Sequence, residues 1–280
     1  MGLLTGLGGL GLGNLESMSL YEDPRRSVIA DEQGETNQNA NEEADFLLSK
    51  SYTCFACGKS FKSLAMKSNR AKLLGTDMDL RPRYDKVEPL KYDVIMCPGC
   101  GCASLTRYWR ELSQTQYTNV REKIGRTFVH KSFGDKFYTY EEAFERYQMA
   151  LANACVKQVR NSEKAYICLK TGWLLRAQAE SLDPSSYGYT EKIEELKEKE
   201  TEFLRNALDG FVLARSSESF PICGMDENTV DYLLSALFIE FKEYDQATKL
   251  VSNLIVSGTA SSRIKDKARM LKEEIKKNIK

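Results

Sequence analysis

Two short cysteine pairs carry the clearest chemistry in this 280-residue chain, Cys54-Phe55-Ala56-Cys57-Gly58 and Cys97-Pro98-Gly99-Cys100-Gly101. Each sets two thiols two residues apart and follows them with a glycine, which reverses the chain without a Cβ clash. Turns of this kind aim both sulfurs at one point. Four thiolates converging there suit zinc, which asks only for a tetrahedron with Zn–S distances of ~2.3 Å. Cys54, Cys57, Cys97 and Cys100 are expected to hold a structural Zn2+ ion in a zinc ribbon.

The residues between the pairs, Gly58 to Met96, are roughly twice the usual interval of about 15 to 20. Doubling a flexible loop costs only ~0.6 kcal/mol of closure entropy, against ~10 to 16 kcal/mol of apparent zinc binding in small domains. The insertion is therefore compatible with one shared site. A thioredoxin-like redox pair is a second reading, although one metal explains two pairs better. A catalytic zinc would need an open coordination position, and four sulfurs leave none. An iron–sulfur cluster on the same thiolates remains chemically allowed, and Cys102 offers a fifth thiol beside the second pair.

The elements that must position these thiols belong to an ordinary globular composition, with 40 basic and 40 acidic residues and 42% hydrophobics. Eight cysteines could mark a secreted disulfide framework, but four form metal-type pairs and Cys155, Cys168 and Cys223 are scattered, which fits a reducing cytoplasm. No apolar run approaches the ~18 residues of a membrane span, and the leucine-rich start lacks a positive n-region. The neutral total hides an asymmetry. Residues 16–50 hold nine acidic and three basic residues, whereas 51–133 hold fifteen basic and seven acidic.

The expected fold is α+β, mostly α: a small β zinc-ribbon module followed by a tetratricopeptide-like all-helical domain. Residues 1–21 form a Leu/Gly-rich tail whose glycines each cost ~1 kcal/mol in a helix, so it is read as flexible, ordering only on docking to its own body, a partner or a membrane surface. Residues 22–46 read as an acidic flexible linker, because they have little apolar surface to bury. The ribbon module occupies 47–133, with strands at Ser51–Thr53 and Tyr92–Met96 and a third drawn from Phe61–Leu74. From residue 134 to 280 the period is helical. Tyr140, Phe144, Tyr147, Leu151 and Cys155 make one stripe, and amphipathic segments follow near 163–179, 190–214, 227–241, 244–256 and 262–279. Ser235 lies twelve positions before Ala247, the spacing of small residues in paired tetratricopeptide-like helices. The irregular interval between Ala143, Ala207 and Ala247 also suits a generic bundle.

Three stretches, Leu80–Gly101 (LRPRYDKVEPLKYDVIMCPGCG), Ser162–Ala177 (SEKAYICLKTGWLLRA) and Phe220–Glu227 (FPICGMDE), resemble the bacterial domain of unknown function 2225 family. With the helix order the resemblance extends from about Leu47 to the C-terminus. It implies an N-terminal zinc-ribbon region, tetratricopeptide-like helices and a bacterial origin, and it assigns no activity either way. Cys102 stands where the family tends to have an aromatic residue, and Phe55 where proline is common.

His130 is the only histidine, and no HExxH motif, nucleophile elbow or phosphate-binding glycine loop occurs. A non-enzymatic zinc-binding adaptor or scaffold is expected, with a protein partner in the helical groove at Trp173 and Arg176. The alternative is nucleic-acid binding by the ribbon, with Lys59, Lys62, Arg81, Arg83, Arg107 and Arg110 on phosphates and Tyr84, Tyr108 and Trp109 stacking on bases.

Overall fold

A computed structural model describes residues 2–16, 18 and 43–279. It is α+β and mostly α. Among the described residues, six strands form three separate antiparallel hairpins: β1 (Leu47–Thr53) with β2 (Ser60–Met66), β3 (Leu73–Thr76) with β4 (Pro82–Tyr84), and β5 (Val94–Met96) with β6 (Ala103–Leu105). The expected strand across Phe61–Leu74 is divided between β2 and β3. The expected strand at Tyr92 begins two residues later, because Pro89–Tyr92 winds into a 3-10 turn capped by Glu88. Among the described residues, seven helices follow: α1 (Gln114–Val120, continued by a π turn over Arg121–Gly125), α2 (Tyr140–Val156), α3 (Asn161–Ser181), α4 (Tyr189–Ser217), α5 (Glu227–Glu240), α6 (Tyr244–Val256) and α7 (Ser262–Ile279).

Helix α2 organises the molecule. It starts at a capping box in which Thr139 accepts from Glu142 N–H and the Glu142 carboxylate accepts from Thr139 N–H. Its outward stripe is not solvated: every residue from Arg146 to Ala154 is buried, because β5 and β6 cover one side and α3 another. Its polar side chains must therefore find partners, and each reaches a different neighbour. Arg146 donates to Ser63 Oγ (2.9 Å) in β2 and to the Val94 carbonyl in β5, and its guanidinium lies 4.2 Å from the Tyr138 ring. Asn153 donates to the Gly101 carbonyl at 2.8 Å. Gln148 donates to the carbonyls of Leu3 (3.2 Å) and Thr5 (2.7 Å).

That last contact concerns the N-terminal tail. Over residues 2–16 it is an arm packed on the protein's own body, one of the docked states expected of it. Leu3, Leu4, Leu7, Leu10, Leu12 and Leu15 are all buried in the main core. Two 3-10 turns, Leu7–Leu10 and Gly13–Leu15, replace the helix that its glycines disfavour. Glu16 accepts from Gly6 N–H (3.1 Å) and Gly8 N–H (2.8 Å), and Val129 N–H donates to the Leu10 carbonyl at 2.9 Å. Gly11 combines a φ of 76° with a close approach, since a Cβ there would meet the Thr127 carbonyl oxygen at 2.0 Å. Most of the expected acidic linker lies outside the described residues. Its end does not: Glu43 pairs with Lys91 at 2.7 Å and accepts from Tyr92 OH at 2.8 Å.

The main core runs without interruption from the arm and hairpins into α2–α5. Helix α3 is buried on most of its circumference, and Gly172 lets α4 approach, because a Cβ there would meet Leu204 Cδ2 at 2.7 Å. Helices α3 to α7 pack in chain order, each on the next. Ser235 and Ala247 are both fully buried, Ala247 in the apolar cluster shared by α5, α6 and α7 and Ser235 donating to the Asp231 carbonyl of its own helix at 2.7 Å.

Candidate metal centre

The two cysteine pairs build the same turn twice. In the first, Gly58 N–H donates to the Cys54 carbonyl (2.9 Å) and Cys54 N–H to the Lys59 carbonyl (3.0 Å); in the second, Gly101 N–H donates to the Cys97 carbonyl (2.9 Å) and Cys97 N–H to the Cys102 carbonyl (2.9 Å). Both turns need a left-handed glycine, Gly58 at φ 72° and Gly101 at φ 67°. One forms the tip of the β1–β2 hairpin and the other the tip of β5–β6. The tips meet sulfur to sulfur.

The Sγ atoms of Cys54, Cys57, Cys97 and Cys100 all lie within 4.8 Å of one another, with Cys54–Cys100 at 3.5 Å and Cys57–Cys97 at 3.8 Å. A tetrahedron with ~2.3 Å metal–sulfur bonds has edges of about 3.8 Å. The four thiols are thus close enough to bind one metal ion. With protons between the sulfurs, hydrogen bonds from Cys100, Cys102 and Cys97 hold the Cys54 thiol far below its ordinary range, and the bond to Cys54 pushes Cys100 up. A cation would take the place of those shared protons.

Cys54, Cys97 and Cys100 are buried, whereas Cys57 is exposed. Cys57 opens on a cleft of about 500 Å³ walled by Tyr117 of α1, Arg121 of its π turn and Arg126 just beyond it. Cys102 is buried behind the centre and does not belong to the mutually close set. Its carbonyl serves the turn, and Lys157 Nζ donates to the next carbonyl, Ala103, at 3.1 Å. Burial lowers the Lys157 ammonium pKa, and the nearby Cys102 thiol opposes that shift.

The remaining expected site residues fall into two groups. Trp173 is in the core at 5% exposure and donates Nε1–H to Asp79 Oδ2 at 2.9 Å. Arg176 pairs with Glu200 (2.6 Å) and Asp79 (3.0 Å). Both therefore hold the β3–β4 insertion on α3, and neither presents a free groove surface. The reason is the turn at Asp77–Arg81, which carries the two carboxylates into α3 from far away in sequence. Arg81 is likewise buried, paired with Glu180 at 2.9 Å, and Arg83 shares that carboxylate at 2.8 Å. Arg107 donates to the Cys223 carbonyl at 2.7 Å and lies 5.4 Å from the rings of Tyr108 and Tyr166. Arg81 is thereby committed to the interior, whereas Arg83 and Arg107 make these contacts from exposed positions. Lys59, Lys62 and Arg110 are exposed and have no carboxylate within ion-pair distance among the described residues. Near them, Tyr52, Phe55 and Phe61 surround Trp109 with ring centroids at 6.3, 5.6 and 5.9 Å. Arg146, Gln148 and Asp79 went unnoticed in the sequence; only the polar interruption of the α2 stripe hinted at the first two.

Hairpin tips that bring four thiols together beside a helical array define a candidate cysteine metal centre. A family model described as an uncharacterized protein conserved in bacteria (DUF2225) matches residues 47–275, and the chain belongs to that family. No curated protein and no solved structure matches. Among the described residues no helix is long and apolar enough to cross a membrane.

Proposed function

We propose that the chain is a non-enzymatic, cytoplasmic adaptor stapled by one structural Zn2+ ion. The observation carrying this reading is the pair of matched cysteine turns whose sulfurs approach the edge length of a single-ion tetrahedron. Four protein sulfurs fill a zinc coordination shell and leave no position for water or substrate, the mark of a structural site. A multi-iron cluster interposes several atoms between its thiolates, which fits this spacing less well.

The adaptor reading assigns partner recognition to the helical array α4–α7, whose stacked order and fully buried Ser235 and Ala247 support tetratricopeptide-like pairing. Recognition would not use Trp173 or Arg176, which are tied to Asp79. The test is recovery of the tagged protein from its own cells at moderate salt. Specific proteins that survive nuclease treatment support the reading, and their absence across repeated recoveries rejects it.

A second reading has an observation of its own. Exposed Lys62 and Arg110 adjoin Phe61 and Trp109 in sequence and exposed Lys59 lies in the adjoining turn, so cations neighbour a half-buried aromatic cluster of the kind on which single-stranded nucleic acid stacks. Titration with a single-stranded oligonucleotide decides it. Binding that weakens steeply with salt and with Lys59→Ala/Lys62→Ala supports ribbon recognition, and a flat salt response removes it.

A further inference from the structure

The arm over residues 2–16 occupies a groove whose walls belong to the family-matched part of the chain, while the arm lies outside it. The groove is built to receive a main chain. Gln148, only 4% exposed, donates to two arm carbonyls, and Val129 N–H donates to a third, that of Leu10. Thr127 leaves room for a glycine alone at Gly11. The occupant has a defined chemistry: leucines spaced by glycines, with Glu16 as the sole charge between Gly2 and Glu16, and that carboxylate accepts from the arm's own Gly6 and Gly8 amides at the surface.

We propose that this groove, between residues 127–129 and α2, is a docking site for a short, uncharged, leucine- and glycine-rich protein segment, and that the arm is its built-in competing ligand. Recognition combines apolar burial of the leucines with the three carbonyl contacts to the turned main chain. A tethered ligand competes at an effective concentration in the millimolar range, so an external segment gains access when the arm is released or when it binds more tightly. The proposal deepens the adaptor reading and rests on it for the existence of a partner; the groove itself is tested separately.

The test uses the full chain with a protease site placed between Asp31 and Ala40. After cleavage, a labelled synthetic peptide of residues 2–18 is titrated by fluorescence anisotropy, with near-ultraviolet circular dichroism reporting the fold. Saturable exchange onto the cleaved protein is expected, with binding to the uncleaved protein at least ~10-fold weaker because the tethered arm competes. A peptide carrying Leu7→Ala and Leu12→Ala should lose most of its affinity, and Gln148→Ala in the body should weaken the parent peptide. An arm that never exchanges, a fold that collapses once the arm leaves, or equal binding of the double-alanine peptide would each overturn the proposal. Exchange combined with a failed recovery of cellular partners would uphold the groove and reject the adaptor.

Discussion

Replacing Asp79 probes the joint between the ribbon insertion and the helices. The residue is 7% exposed. One oxygen accepts from Arg81 N–H at 3.3 Å, and the other accepts from Trp173 Nε1–H at 2.9 Å and pairs with Arg176 at 3.0 Å. Asp79→Ala orphans a buried indole N–H, worth about 1 to 3 kcal/mol. It also removes one of two strong carboxylate partners of Arg176, which keeps Glu200 at 2.6 Å. Losing one partner of a buried pair costs about 3 to 5 kcal/mol when nothing replaces it, so the surviving Glu200 contact places the total near 3 to 4 kcal/mol. That is a two- to three-decade fall in the folding constant, at about 1.4 kcal/mol per decade. Urea unfolding followed by far-ultraviolet circular dichroism measures it, and a Trp173→Phe partner variant completes a double-mutant cycle. A coupling of about 1 kcal/mol or more is expected for contacting residues. A loss below about 0.5 kcal/mol, the scale of ordinary surface changes, would refute the account of Trp173 as an internal tie.

Further outcomes follow from the same geometry. Burial raises the Glu88 carboxyl above its ordinary value, against its hydrogen bond to Leu90 N–H and the charges of Arg81 and Lys91. A raised folded-state pKa gives a contribution that is full below the unfolded value near 4.5 and is lost as pH rises through the folded value. Glu88→Gln, which keeps the acceptor for Leu90, should therefore gain in stability relative to the parent as pH goes from 4 to 7; a Gln variant that is relatively weaker at pH 7 would contradict this. Gly101→Ala adds a Cβ 2.6 Å from Phe128 Cδ2 at φ 67°, whereas Gly58→Ala at φ 72° meets nothing within 4 Å. Both should weaken metal retention against a chelator, Gly101→Ala by the larger factor, and equal effects would show that backbone strain alone matters. Metal removal should abolish amide-exchange protection in β1, β2, β5 and β6 and lower it in α2, which Asn153 ties to Gly101. Protection in α6 and α7 should persist, because their contacts form a separate apolar cluster; uniform loss would contradict that separation.

Much of the architecture was legible because it is locally encoded. The segments near 163–179, 190–214, 227–241, 244–256 and 262–279 all lie on observed helices, since a 3.6-residue apolar period and breaks such as Asp183-Pro184 and Phe220-Pro221 are properties of adjacent residues. The cysteine turns were legible for the same reason: thiols two residues apart and a following glycine specify a turn without distant help. What stayed hidden depends on contacts between distant parts of the chain. Trp173 and Arg176 resemble a surface hot spot in sequence, and only the return of Asp79, 94 residues away, makes them a core tie. Arg146 and Gln148 interrupt an amphipathic stripe and would be solvated on a helix with one open face; α2 has none there. The arm's leucines were visible, but the groove that buries them is assembled from residues 127–129 and 148, more than a hundred positions downstream. Its glycines argue correctly against a helix and carry no information about docking.

The most direct test of the central claim is the metal content of the untagged protein purified without added metal, measured by elemental analysis alongside acid-labile sulfide. One zinc per chain, no sulfide, and loss of the zinc in Cys54→Ser and Cys97→Ser but not in Cys102→Ser is the predicted result. Iron with stoichiometric sulfide, or a folded protein that holds no metal, would contradict the zinc-stapled account.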